Sequence, residues 1–374
     1  MPTRKKSVIS KASPHTIKKF ELIEEYIKSW AQKLMLQESC NGLIYIDCMC
    51  NSGIYTDDSG KTVEGSPVRV ANVLLDVART YMDKAVHLYF NDIDKARVDE
   101  LKKHLPQDER NYRIVTSVGD ANELLTTIGS QLSQTGHLHY FLLYDPYDAS
   151  IDWKALLPFF LHWGEVMINH MVIDPVRAIT SAKRQVTKDK YANTYLEDFE
   201  RLVPFGSDKE AYEARVEQII KSLKGNRRYY VAAFPFYNTQ NSHMYNLIHC
   251  TSNREGFKLY KKCAWKVFGA QSSTKNSPDY GQFRFDENGF ITTDTDASCF
   301  HVRDIAKYLQ EHFKGRQMVP LSELWELLDD HPIFPSEGYR NDIKKELVAT
   351  YGARQEQIYR VEINKKETVI NFSK

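Results

Sequence analysis

The sequence predicts an α/β protein: a doubly wound, largely parallel seven-stranded sheet with a helical insertion, followed by a smaller module of three helices and a β-hairpin. Three observations carry this. Short apolar runs alternate with helical periodicity four times between about Ile44 and His170. The first four of these runs lead directly or within a few residues into an acid. From about His301 the pattern changes to three apolar stripes of helical spacing and then two strands.

The elements follow in order. From about His15 to Leu34, the residues Ile17, Phe20, Ile23, Ile27, Trp30 and Leu34 recur at helical spacing, one apolar stripe of a first helix. Asn41-Gly42 breaks the chain. Leu43 to Ile46 is a buried strand ending at Asp47, and the small or polar residues from Cys48 to Gly53 read as a loop at its carboxyl end. Tyr55 to Glu64 is polar. Gly65-Ser66-Pro67 starts a helix, with Ser66 as N-cap and Pro67 at the first helical position. Val86 to Phe90, Tyr112 to Val115, Tyr140 to Tyr144 and Glu165 to His170 are the next strands. They are followed by Asn91-Asp92, by Gly119-Asp120, by Asp145-Pro146-Tyr147-Asp148, and by a charged stretch. Residues 174–228 read as a mostly helical insertion. Tyr229 to Phe236 and Tyr245 to Thr251 add an antiparallel pair. The expected division is 1–40, a helical segment packing on the core; 41–270, the sheet domain; 271–300, a linker; and 301–374, a winged helix.

Composition narrows the class. Over 374 residues, 50 Lys and Arg balance 49 Asp and Glu, so no global basic coat for nucleic acid exists. No apolar run approaches the roughly 20 residues that span a bilayer. Six cysteines are too few for a disulfide framework in a chain this long. Cys48-Met49-Cys50 and His137-Leu138-His139 lack the second ligand pair of a zinc site, so no metal is expected. The basic start, Met1 to Lys6, leads into no apolar signal region, and the expected location is the reduced cytoplasm.

In a doubly wound sheet, ligands sit beyond the carboxyl ends of the strands. Acids at four successive ends, Asp47, Asp92, Asp120 and Asp145, are not required by the fold. Each has a bland reading as a helix cap. Together they read as a site for a nucleoside-bearing cofactor, with Asp92 taking the ribose hydroxyls and Asp120 the adenine amino group. The loop Asp47, Cys48, Ser52, Gly53 fails the G-x-G-x-x-G pattern, which argues against a dinucleotide.

These residues resemble, in order and spacing, class I S-adenosylmethionine-dependent methyltransferases with a Rossmann-like sheet. More narrowly, the chain resembles the three-Cys-motif partner proteins of bacteria. The likeness rests on Pro14-His15-Thr16 with Lys18 and Lys19, Tyr45-Ile46-Asp47 with Ser52-Gly53, Gly65-Ser66-Pro67, Asp145-Pro146-Tyr147, and Gly256 with Trp265. It covers roughly residues 10–270. It implies S-adenosylmethionine as cofactor and Asp145, Pro146 and Tyr147 as the catalytic motif, with Asp145 orienting an amino group of a base. It also implies association with a protein bearing a three-cysteine motif. Met49, Cys50 and Asn51 stand where the family carries Phe, Ala and Gly, and Tyr147 stands at the second Pro of an Asp-Pro-Pro-Tyr motif. A non-catalytic binding partner that keeps the fold is therefore the alternative reading.

Two further surfaces are candidates for nucleic acid or a protein partner. Arg254 to Lys266 holds five basic residues and one acid, with Lys258, Lys261 and Lys262 as contacts. On the third C-terminal helix, Arg340, Lys344 and Lys345 lie off the apolar stripe. From His301 onward, however, 12 basic residues meet 12 acids, which favours protein docking and weakens a third reading as a DNA-binding regulator.

Overall fold

The computed structural model describes residues 7–134, 138–146, 150–161, 164–171, 183–196, 221, 229–237, 243–272, 284–285, 291–292, 300–360 and 365–373. The chain divides into two units, Met1–Phe257 and Lys258–Lys374.

The first unit opens with β1 (Ser10–Lys11) and α1 (Pro14–Met35), where proline occupies the first turn and needs no amide partner. Phe20, Ile23, Ile27 and Trp30 are buried along one face of α1, each worth roughly 1.5–3 kcal/mol relative to exposure. Next come β2 (Gly42–Asp47), β3 (Ile54–Thr56), β4 (Thr62–Glu64) and α2 (Ser66–Thr80). Then β5 (Ala85–Asp92), α3 (Lys95–Leu101), β6 (Tyr112–Val118), α4 (Ala121–Gln131) and β7 (Leu138–Tyr144) repeat the alternation. The unit is completed by α5 (Trp153–Leu161), β8 (Gly164–Met171), α6 (Gln185–Tyr195), β9 (Tyr230–Tyr237) and β10 (His243–Thr251).

Seven of these strands form one sheet in the order β6-β5-β2-β7-β8-β10-β9. All run parallel except β10, which is antiparallel to both neighbours. The six residues of β2 are all buried, as a central strand covered on both faces requires. Gly42 opens it at φ +156°, and a Cβ there would lie 2.1 Å from the Ala85 carbonyl oxygen. From β2 the chain moves outward to β5 and β6, then returns to place β7 on the other side of β2. The strand order therefore reverses at β2 and β7, which puts the crevice between their carboxyl ends.

Several details differ from the sequence expectation. Tyr55 to Glu64 is not a plain polar stretch, because β1, β3 and β4 pair there as a small separate sheet. The N-cap of α2 is Gly65, with Ser66 already helical and no side-chain cap. Most of the expected insertion at 174–228 lies outside the described residues; α6 is a helical part of it among the described ones.

The second unit begins inside a helix, α7 (Arg254–Val267), earlier than the expected linker at 271–300. Most of that linker lies outside the described residues, except for the short pair β11 (Arg284–Phe285) and β12 (Ile291–Thr292). Three helices follow, α8 (Val302–His312), α9 (Leu321–Asp330) and α10 (Arg340–Tyr351), with β13 (Val319–Pro320) before α9. β14 (Arg354–Arg360) and β15 (Lys365–Asn371) close the chain, and the three strands form an antiparallel sheet in the order β13-β15-β14. His301 and Asp304 make a capping box on α8, and Gly352 ends α10 at φ +64°. Trp325, Leu328, Ile343 and Leu347 are buried. The boundary moves because Trp265 of α7 is fully buried and donates its indole N–H to the Ile333 carbonyl at 3.0 Å. No helix among the described residues is long and apolar enough to cross a membrane.

Candidate functional site at the carboxyl edge of the sheet

β2 and β7 run side by side with Asp47 opposite Leu143, and β7 pairs with β8 through Tyr144 and Ile168. Asp47, Asp145 and Asn169 thus meet at the carboxyl edge. Asp145 is fixed from two sides. Lys19, from α1, places Nζ 2.5 Å from its Oδ2, and Asn169 donates Nδ2–H to its Oδ1 at 2.6 Å. Lys19 is buried and lies 5.4 Å from the centre of the Tyr245 ring. Asp145 keeps 22% of its side chain exposed, so a ligand can reach it.

Asp47 is buried and accepts the Met49 amide at 3.2 Å. Burial raises its pKa to about 8, and the neighbouring Asp145 carboxylate adds to the shift. Two polar atoms close to this cluster are enclosed without a hydrogen-bond partner: the Tyr45 hydroxyl and Asn169 Oδ1. Tyr45 lies on the same face of β2 as Asp47, and burial, followed by the Asp47 charge, pushes its hydroxyl well above the usual range.

The loop from Cys48 to Gly53 is sewn onto β5. Asn91 donates Nδ2–H to the carbonyls of Cys48 (3.1 Å) and Gly119 (2.9 Å), and its own carbonyl accepts the Cys50 amide at 2.8 Å. Asn51, at φ +58°, makes the turn that a glycine would otherwise make and donates its amide to Asp92 Oδ2 at 3.0 Å. Asp92 Oδ1 accepts the Asp94 amide at 2.9 Å. Gly53 sits at φ +70°, where any side chain is strained, and a Cβ there would also lie 2.4 Å from Leu101 Cδ1. Ser52 turns its hydroxyl to the Ile54 carbonyl at 2.9 Å.

The predicted cofactor residues therefore divide. Asp47 and Asp92 lie at the crevice, buried, while Cys48, Ser52 and Gly53 build its floor. Asp120 is exposed and caps α4, its Oδ1 accepting the amides of Asn122 and Glu123. That is the bland reading of a strand-end acid, and only Oδ2 is left for a ligand. Pro146 is buried, and Tyr147 lies outside the described residues. Burial pushes the thiols of Cys48 and Cys50 well above their usual range, which suits inert core thiols. Among the described residues no cluster of three metal-ligating side chains occurs.

The basic surface on α7 is corrected. Lys261 is fully buried, its ammonium donating to the carbonyls of Leu328, Asp329 and His331 at 2.7–3.0 Å. It is withdrawn from any phosphate because a helix end needs its donors. Lys258, mostly buried, faces Asp329 at 3.5 Å and Glu337 at 3.3 Å, so its charge is already balanced. Lys262 is half-buried. On α10, Arg340 and Lys345 are exposed and Lys344 half-buried. Arg340 stacks 5.4 Å above Trp325, and Lys345 lies 3.6 Å from Asp342.

Sequence reasoning missed Lys19 as a site residue, along with Asn91 and Asn169. It also missed a cavity of about 520 Å³ at the opposite edge of the sheet, lined by Trp30, Tyr140, Glu165, Thr251 and Arg254. There Glu165, buried, accepts from the Tyr26 hydroxyl and lies 2.9 Å from His249 Nε2. The clustered acids of the switch point are at the other end of the strands.

The arrangement, a single reversed strand beside the edge and a reversal of order at β2, defines a doubly wound, Rossmann-like α/β protein. Solved structures to which the chain is similar include the O-methyltransferase TomG from Streptomyces achromogenes with S-adenosylmethionine, at 12% identity over 61% of this chain and 78% of that one, TM-score 0.30. Human methyltransferase-like protein 13 with S-adenosylhomocysteine matches at 8% identity over 66% and 91%, TM-score 0.32. Loganic acid methyltransferase with S-adenosylhomocysteine matches at 9% over 67% and 81%, TM-score 0.29. Likeness at this level carries no argument about activity or fold. No family model matches the chain, and no curated protein matches its sequence.

Proposed function

We propose that the chain binds S-adenosylmethionine at the carboxyl edge and methylates the exocyclic amino group of a nucleic-acid base. The observation that carries this is the Asp145 carboxylate, fixed by Lys19 and Asn169 yet partly exposed, beside the buried acids Asp47 and Asp92. Acids at three neighbouring strand ends suit a ligand that carries a sulfonium and ribose hydroxyls. The residues fit the cofactor in this respect: Asp92 ends β5 at the crevice, where a carboxylate would take ribose hydroxyls, and Asp47 lies where the strand order reverses.

S-adenosylmethionine supplies an electrophilic methyl group on sulfur. The chain's part is to orient the acceptor. Asp145 accepts one N–H of the amine, which turns the nitrogen lone pair away from that bond and toward the methyl carbon. Because Lys19 and Asn169 hold both carboxylate oxygens, this orientation needs no rearrangement on binding. As in the sequence reading, we place the protein in the cytoplasm and the second unit, as a winged helix, in docking, with the exposed Arg340 and Lys345 and the half-buried Lys344 as its basic residues. With Lys261 buried and Lys258 paired, protein docking is favoured over phosphate contact.

Calorimetric titration with S-adenosylmethionine, followed by transfer of labelled methyl groups to DNA and RNA, tests the reading. Asp145→Ala is expected to abolish transfer while keeping cofactor affinity; transfer by that variant removes Asp145 from the chemistry. A second reading, a non-catalytic partner of a three-cysteine-motif protein, is favoured by the Asn51 amide that seals Asp92. Absence of cofactor binding with an intact fold selects it.

A further inference from the structure

Lys19 and Asp145 present a hydrogen-bond donor and acceptor side by side, 2.5 Å apart, at the edge of the sheet that carries the proposed methyl transfer. Nothing in the fold requires this. A lysine that only packed α1 onto the sheet would direct its ammonium to solvent. Instead Lys19 is buried, held between Asp145 after β7 and Tyr245 on β10. These elements belong to the half of the sheet on the far side of β2 from β5 and β6, away from Asp92. An ammonium has three donors, and Asp145 takes one.

We infer that Lys19, Asp145 and Asn169 form a reader of an amidine edge, a primary amine next to a ring nitrogen, as found on adenine and cytosine. This rests on the carboxyl edge being a methyl-transfer site. Asp145 receives one hydrogen of the amine. Lys19 donates to the adjacent ring nitrogen, so the pair reproduces with two side chains the donor–acceptor pattern of a single asparagine amide on adenine. Asn169 supplies the third point. Its Nδ2 is committed to Asp145, which leaves Oδ1 buried and without a donor. A buried acceptor in that state calls for an N–H or a water, and the second hydrogen of the amine answers it. A base carrying a carbonyl at the same place offers no amine hydrogen to Asp145 or Asn169. Lys19 is thus a specificity residue: it touches the acceptor base without taking part in the bond change.

The test uses the full chain, labelled S-adenosylmethionine, and oligonucleotides whose only amine-bearing base is adenine or cytosine. Matched oligonucleotides carry carbon in place of N1 or N7 of adenine, or of N3 of cytosine. Lys19→Met is expected to lower kcat/KM on both bases, because Asp145 loses a partner, and to lower it about ten- to a hundredfold more on the natural base than on the matching carbon analogue. Lys19→Arg is expected to restore part of the loss. Cofactor affinity and thermal unfolding are measured on each variant, so a misfolded protein is recognised. An equal loss on natural and carbon-substituted bases overturns the inference and leaves methyl transfer standing. A wild-type protein that binds S-adenosylmethionine but methylates only other groups also overturns the inference, and one that methylates none removes the proposed transfer with it. A wild-type protein that does not bind S-adenosylmethionine removes both this inference and the function it rests on.

Discussion

Lys261 reaches the Leu328 carbonyl at 2.8 Å from a side chain with no solvent exposure. With the carbonyls of Asp329 and His331 it completes the end of α9. Helix ends leave carbonyls without partners, and a cation there also matches the helix dipole. Lys261→Met is expected to destabilise the second unit by about 2–4 kcal/mol, because the buried acceptors lose their donor. Urea unfolding followed by tryptophan fluorescence measures it. An unchanged midpoint would mean that water substitutes for the ammonium.

The same contact sets where the second unit can be cut. A fragment starting at residue 258 contains Lys261 and Trp265 and is expected to unfold cooperatively. A fragment starting at residue 301 lacks both and is expected to lose its near-ultraviolet dichroism. Equal cooperativity of the two fragments would restore the later boundary.

Asp47 makes stability pH-dependent in an unusual direction. Its carboxyl, ordinarily ionised above about pH 4, is held protonated up to about pH 8 by burial and by Asp145. Between these values the folded state binds more protons than the unfolded one, so stability falls as pH rises and levels off above 8. Asp47→Asn is expected to remove this slope and to stabilise the apo protein at pH 8 by at least about 1 kcal/mol. Thermal unfolding at pH 5 and pH 8 checks it; a parallel pH dependence in the variant contradicts the assignment.

His331 acts in the opposite sense. Burial, helped by the Lys261 charge, lowers its pKa to about 4. Its Nδ1 accepts the amides of Ile333 and Phe334, and its ring stacks on Phe334 at 4.1 Å. Between pH 6.5 and 4 the unfolded state binds more protons, so stability is full above about 6.5 and declines on acidification. His331→Gln is expected to flatten that decline, read as the unfolding midpoint of the second unit from pH 7 to 4.5.

The strands were legible because β2, β5, β7 and β8 are short apolar runs with polar ends, which periodicity detects. The pair β1 and β3 was not, since its residues carry no alternation and are joined by position alone. Asp47, Asp92 and Asp145 could be picked out as strand-end acids. Lys19 could not, because a lysine on an amphipathic helix reads as a solvated charge until the helix is placed against the sheet. Asn169 was hidden for a similar reason: within the run Met167-Ile168-Asn169-His170 nothing marks its amide as the partner of Asp145. Lys261 misled, since a basic run along a helix gives no sign of which charge turns inward.

The helix α1 is synthesised long before the partners that secure it. Lys19 waits for Asp145, 126 residues later; Tyr26 waits for Glu165, 139 later, and for the Gly256 carbonyl, 230 later. At about 5–20 residues per second, that last interval is roughly ten to fifty seconds. Until then α2 is the nearby partner in sequence, with Arg69 reaching Glu24 at 2.8 Å. The face carrying Tyr26, Ile27 and Trp30 stays open to chaperones or to other nascent chains, and the carboxyl edge cannot assemble on any nascent chain that has not yet exposed Asn169.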